Sequence, residues 1–118
     1  MLQRTKTFAL RVVKAVQALP KRDDVALILG RQLLRSGTSV GANYRAACRA
    51  KSSADFLNKL KIVEEECDES IYWMELLVES GAISSHRFQP LIQEANELVS
   101  MTVAALRTLR AGSSNRKS

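Results

Sequence analysis

The chain has little of anything that interrupts a helix and little that does chemistry. Two prolines and five glycines occur in 118 residues, which favours long helices over a turn-rich β fold. The one histidine, His86, has no glutamate three residues before it, so the Glu-x-x-His pairing of a di-iron bundle is absent. Two cysteines, Cys48 and Cys67, make no disulfide framework. On a helical hairpin they would lie about four turns apart, too far to bridge, and they read as small buried thiols. No nucleophile elbow accompanies them, and no Gly-Lys-Ser/Thr follows Gly37 or Gly41 to make a phosphate loop. These absences argue against an enzyme, a metal, a cofactor or a small-molecule substrate. No apolar run approaches the ~20 residues of a membrane span. The basic start, Met1 to Lys6, leads into an amphipathic stretch rather than a signal-peptide core. The expectation is a cytoplasmic protein with no membrane partner.

What is present is charge, and it is segregated. Net charge is +6. Residues 1–63 carry 13 Lys/Arg against 3 Asp/Glu, residues 64–97 carry Arg87 against 9 acids, and residues 98–118 carry 4 bases and no acid. Such asymmetry suits nucleic-acid contact, and it equally lets one helix neutralise another.

Apolar spacing predicts four helices. Phe8, Val12, Ala15, Val16 and Leu19 mark the first, roughly 5–19, which Pro20 ends. Asp23 or Asp24 caps the second, roughly 24–50, with Leu29, Leu33, Val40, Tyr44 and Ala47 on its apolar side. Ser36 to Gly41 reads locally as a loop, yet the apolar phase is the same on both sides of it. Continuity is therefore preferred. Gly37 and Gly41, with Ser39 and Asn43, then provide small residues for close helix packing, at ~1 kcal/mol of helix propensity per glycine. The third helix, roughly 53–80, is capped by Ser52 or Ser53 and shows Phe56, Leu60, Val63, Cys67, Ile71, Met74 and Val78. Gly81 suits its C′ position. The fourth, roughly 86–111, shows Leu91, Ala95, Leu98, Thr102, Ala105 and Leu109, with Pro90 awkward near its start. Residues 112–118 read as a disordered tail. Short links make an all-α, elongated, up-down-up-down antiparallel four-helix bundle over residues 1–111 the economical fold.

The functional signal is a row of arginines. On one unbroken second helix, Arg31, Arg35, Arg45 and Arg49 fall within roughly an 80° arc. Arginine suits bidentate phosphate contact, and Lys51, Arg4, Lys6 and Arg116-Lys117 extend the patch. No aromatic residue interleaves, so RNA or DNA would be held by its backbone. Folding the second helix on the third brings Arg35 level with Asp68 and Glu69, so pairing can consume that end of the row. The alternative is a scaffold module whose arginines serve oligomer assembly. Ile62, Trp73 and Leu76 lie off the third helix's core face and offer a subunit contact.

Gln32-Leu33-Leu34-Arg35-Ser36-Gly37-Thr38-Ser39-Val40-Gly41-Ala42-Asn43, then Ser53-Ala54-Asp55-Phe56 and Tyr72-Trp73, resemble the bacterial 23S rRNA intervening-sequence protein family across roughly residues 5–110. The resemblance implies a four-helix bundle with a continuous second helix, and a ring-shaped homo-pentamer. The resemblance also implies a link to one related group, the accessory proteins of diversity-generating retroelements, whose partners are nucleic acid and a reverse transcriptase. The family motif implies no catalytic residue.

Overall fold

The computed structural model describes the backbone of residues 1–117 and the side chains of residues 1–112. Four helices follow one another: α1 (Leu2–Gln17), α2 (Asp24–Cys48), α3 (Ser53–Glu79) and α4 (Ser85–Lys117). α1 packs on α2, α2 on α3 and α3 on α4, and a thinner seam closes α4 onto α1. The body measures 58 × 22 × 21 Å, the elongated bundle expected from long helices and short links.

Each link stops one helix and starts the next by local chemistry. The Asp23 carboxylate accepts the Ala26 amide at 3.1 Å, and the Ser52 hydroxyl accepts the Asp55 amide at 3.0 Å. Both satisfy amides that a helix start leaves unpaired. After α3, Gly81 takes φ +84°, and the Ile83 amide reaches back to the Leu77 carbonyl at 3.3 Å. A side chain would be strained at that φ. α1 begins three residues earlier than the spacing suggested and ends at Gln17, but Leu19 in the link remains buried. α4 starts at Ser85 with Pro90 inside it. Pro90 is exposed, so the carbonyl it leaves unbonded can be met by water.

The core runs the length of the bundle through Phe8, Val12, Leu33, Val40, Val63, Met74, Phe88 and Leu98. α2 is continuous through residues 36–43, as its apolar phase required. The hydroxyls of Ser36 and Ser70 meet at 2.9 Å inside the α2–α3 interface, so neither buried oxygen is stranded. Gly30, Gly37 and Gly41 all turn to α1. A methyl on Gly37 would lie 2.7 and 2.8 Å from the two γ carbons of Val12. Its missing side chain is thus what lets α1 lie against α2. Ser39 and Asn43 play a different part. The Asn43 amide donates to the Ser39 carbonyl at 2.9 Å and to its hydroxyl at 2.8 Å, bonds that stay within α2.

Three expectations need correction. The inner face of α4 passes from Thr102 to buried Leu106, leaving Ala105 and Leu109 exposed. Steps of three and four are both allowed on a helix, and burial follows the step of four here. Cys48 is exposed, and only Cys67 is buried. α4 is helical to Lys117, past the 111 boundary, although the tail's side chains from Ser113 lie outside the described residues, as does Ser118.

Candidate functional site

All four arginines of the predicted row are exposed on the outer side of α2. Arg31, Arg35 and Arg45 are within the helix, and Arg49 is its C-cap residue. Lys51 follows in the link, exposed, with its amide near the Asp55 carboxylate at 3.4 Å. The row straddles two edges of α2, and the neighbours at those edges differ.

At the α3 edge, Arg35 is captured. One guanidinium nitrogen donates to Glu66 at 3.1 Å and another donates to Glu69. The sequence register placed Asp68 and Glu69 there. Asp68 instead points to solvent, because Cys67 and Ser70 are the residues facing the core. The hydrogen bond from Arg35 to Glu69 is the main reason the guanidinium holds its proton more tightly than usual.

At the α1 edge, Arg45 and Arg49 border a groove of about 550 Å³ between α1 and α2. Lys6 stands on the opposite bank, and Leu2, Ala9, Gly41, Ala42 and Cys48 are among the lining residues. At Gly41, one of the lining residues, a Cβ would lie 3.3 Å from the Thr5 carbonyl oxygen, so α2 comes close to the backbone of α1 there. α1 contains no aspartate or glutamate. Among the described residues, Lys6, Arg31, Arg45, Arg49 and Lys51 make no ion pair with any carboxylate. Such a site can hold a multiply charged anion in extended contact, and its apolar floor can take the non-polar parts of one.

Arg4 does not join this patch. Its guanidinium donates to both oxygens of Glu94, at 2.9 and 2.7 Å, and to Glu97 at 3.0 Å. This bidentate grip ties α1 to α4. The hydrogen bond from Arg4 also holds the Glu94 carboxyl below its usual range, against a smaller opposing effect of burial.

Trp73, Leu76 and Ile62 are half-buried on the flank of α3. Trp73 packs on the core, donates its indole N–H to Glu69 at 3.1 Å, and stands edge-on to Tyr72. Part of this flank is therefore bundle interior. The greater exposure lies beside it, at Val25 and Ile28 (58% each) and Tyr72 (54%). Ser36 opposite Ser70 sets the antiparallel register, which puts Ile28 level with the last turn of α3 and Val25 just past its end.

Cys67 is not an activated nucleophile. Burial, aided by Asp68 and Glu94, pushes the Cys67 thiol up to about 12, far from a thiolate at neutral pH. His86 is exposed in the first turn of α4, and no group of three metal-ligating side chains occurs among the described residues.

The cations are legible in the sequence, and the groove is not. The apolar bank of Leu2 and Ala9 depends on where α1 crosses α2. The one available signal was the lack of acid before Asp23.

A family model described as 23S rRNA-intervening sequence protein matches residues 1–104. A crystal structure of a protein of unknown function from Bacteroides thetaiotaomicron, placed in the S23 ribosomal protein family, is 34% identical. The match covers 89% of this chain and 96% of that one, with a TM-score of 0.82. No curated protein matches the chain. The chain therefore belongs to the 23S rRNA-intervening sequence protein family.

Proposed function

We propose that this member of the 23S rRNA-intervening sequence protein family is a non-enzymatic, self-assembling helical bundle that grips RNA or DNA backbone along the α1–α2 groove. The observation that carries the reading is the sorting of its cations. Arg4 and Arg35 are satisfied by Glu94, Glu97, Glu66 and Glu69, whereas Lys6, Arg45 and Arg49 line one groove with no acid among its lining residues. Arginines facing water add little to stability, so their alignment is better matched to a phosphate ligand. No aromatic residue lines the groove, so bases have nothing to stack on and recognition is by backbone, with weak sequence preference. The names of the family and of the Bacteroides relative's family both make RNA the first ligand to try.

Anisotropy titrations of labelled structured RNA and duplex DNA across ionic strength test this. Three or four phosphate contacts give a slope of log affinity on log salt of roughly −2 to −4. No salt-sensitive binding, even at low ionic strength, removes the reading.

Assembly is supported by a separate observation, the exposed apolar residues Val25, Ile28 and Tyr72 at the end of the α2–α3 hairpin where half-buried Trp73 and Leu76 also lie, with Ile62 about three turns away along α3. Exposed apolar residues of this kind suit a subunit contact, with the ring of five implied by the family resemblance as the expected count. Light scattering should return a discrete oligomer that Val25→Glu with Ile28→Glu reduces in mass. In the alternative, scaffold-only reading, the free arginines meet acids of a neighbouring chain. Arg45→Glu then also dissociates the oligomer, and nucleic acid does not bind.

A further inference from the structure

A second basic site lies on the other flank of α1, at its seam with α4. Arg11 and Lys14 from α1 and Arg87 from α4 rim a notch of about 290 Å³. All three are exposed, and none pairs with a carboxylate among the described residues. Glu94, two turns along α4 from Arg87, is occupied by Arg4. Between the cations the lining is apolar: Ala15, Ala18 and Ile83 give its accessible surface, and Leu91 and Phe88 are buried beneath them. The first turn of α4 contains no acid, so the positive end of its dipole adds to the same field.

We infer that this notch is a docking site for an acidic segment of a partner protein, one that inserts an apolar side chain between flanking carboxylates. Three cations around an apolar floor ask for a ligand with both properties. A free phosphate would leave the floor unused. Nucleic acid would need its bases presented to a stacking face, and Phe88 is only 2% exposed. An apolar anchor ringed by acids satisfies both halves, as acidic motifs do on arginine clusters. The site is independent of the α1–α2 groove. At 100° per residue, Arg11 is turned roughly 140° and Lys14 roughly 80° from Lys6 around α1, so the two sites face different sides of the helix. The inference therefore stands or falls apart from the nucleic-acid reading.

The test uses a fluorescein-labelled peptide, Asp-Glu-Leu-Phe-Asp-Glu, and the full chain at low ionic strength. Anisotropy should report a Kd on the order of 0.1–1 mM. Two control peptides, one with Ala-Ala for Leu-Phe and one with Asn and Gln for the acids, should each bind at least about tenfold more weakly. Arg11→Glu with Arg87→Glu should abolish peptide binding, and the charge-neutral Ala18→Trp, which fills the notch, should weaken it. Arg45→Glu with Arg49→Glu should leave it unchanged. All these positions are exposed, and circular dichroism melts check that each variant folds. The inference is overturned if the peptide does not bind, if the Ala-Ala control binds equally, or if Ala18→Trp has no effect. It is overturned too if reversing Arg11 and Arg87 weakens RNA binding as much as reversing Arg45 and Arg49, for the notch would then belong to the nucleic-acid face.

Discussion

The two edges of α2 carry the same residue type and treat it in opposite ways. Beside α3, Arg35 lies between Glu66 and Glu69. Beside α1, Arg45 and Arg49 look across a groove at Lys6. The neighbouring helix decides the outcome, because α3 is acid-rich and α1 has no acid. An arginine's availability is thus a property of the interface it borders, and a row read along one helix divides into a structural part and a free part. Arg4 repeats the lesson on α1, where the acids of α4 claim it.

The comparison can be broken from the glycine side with the largest effect. Gly37→Ala sets a methyl against both γ carbons of Val12, a fully buried β-branched side chain that cannot turn aside. Destabilisation of about 1–3 kcal/mol should appear in urea melts, despite the gain of up to ~1 kcal/mol in helix propensity. Gly30→Ala is the control. Its clash is with the Leu19 Cδ1 methyl, the movable end of a flexible chain, and its cost should be clearly smaller.

At the α3 edge, Trp73→Ala should cost about 1–2 kcal/mol in the same melts. That is below the ~3–5 of a fully buried aromatic, because Trp73 is half-buried. Arg35→Ala should cost at most about 1 kcal/mol, since the pair is partly solvated and salt screens it. A larger loss would mean that Arg35 is more structural than its exposure implies.

The α1–α4 seam gives a smaller, pH-dependent effect. Arg4 lowers the folded carboxyl of Glu94 below its unfolded value. Its contribution is therefore complete above the ordinary glutamate range, about pH 4.3, and is lost as pH falls through the lower folded value. Glu94→Gln should flatten that part of the acid limb of melting temperature against pH. Smallest of all in energy, a maleimide should label exposed Cys48 and spare Cys67 under native conditions. RNA in the groove should slow the labelling of Cys48, which mass spectrometry can follow.

Much of this fold was legible before the helices were seen together. The shared apolar phase of Leu29 and Leu33 with Val40 and Tyr44 carried α2 through Ser36 to Gly41, although those residues favour a loop locally. Packing won there, because Gly37 is needed against Val12. The capture of Arg35 was legible in kind, since folding α2 onto an acidic α3 brings it level with carboxylates. Its partner Glu66 was not, because a link of a few residues leaves the register uncertain by a residue or two. Leu106 was missed because a step of three and a step of four from Thr102 look alike in the spacing, and only the packed bundle separates them. The groove was least legible. It depends on the approach of two helix backbones, and no spacing within one helix encodes that.

The central claim is that the α1 edge of α2, and not its α3 edge, meets nucleic acid. The direct measurement is RNA affinity at one fixed low salt concentration for the unaltered chain, for Lys6→Glu with Arg45→Glu, and for Arg35→Glu. The α1-edge pair should lose at least about tenfold, ~1.4 kcal/mol, while Arg35→Glu should stay within about threefold. Equal losses in the two variants, or a larger loss from Arg35→Glu, would contradict the account.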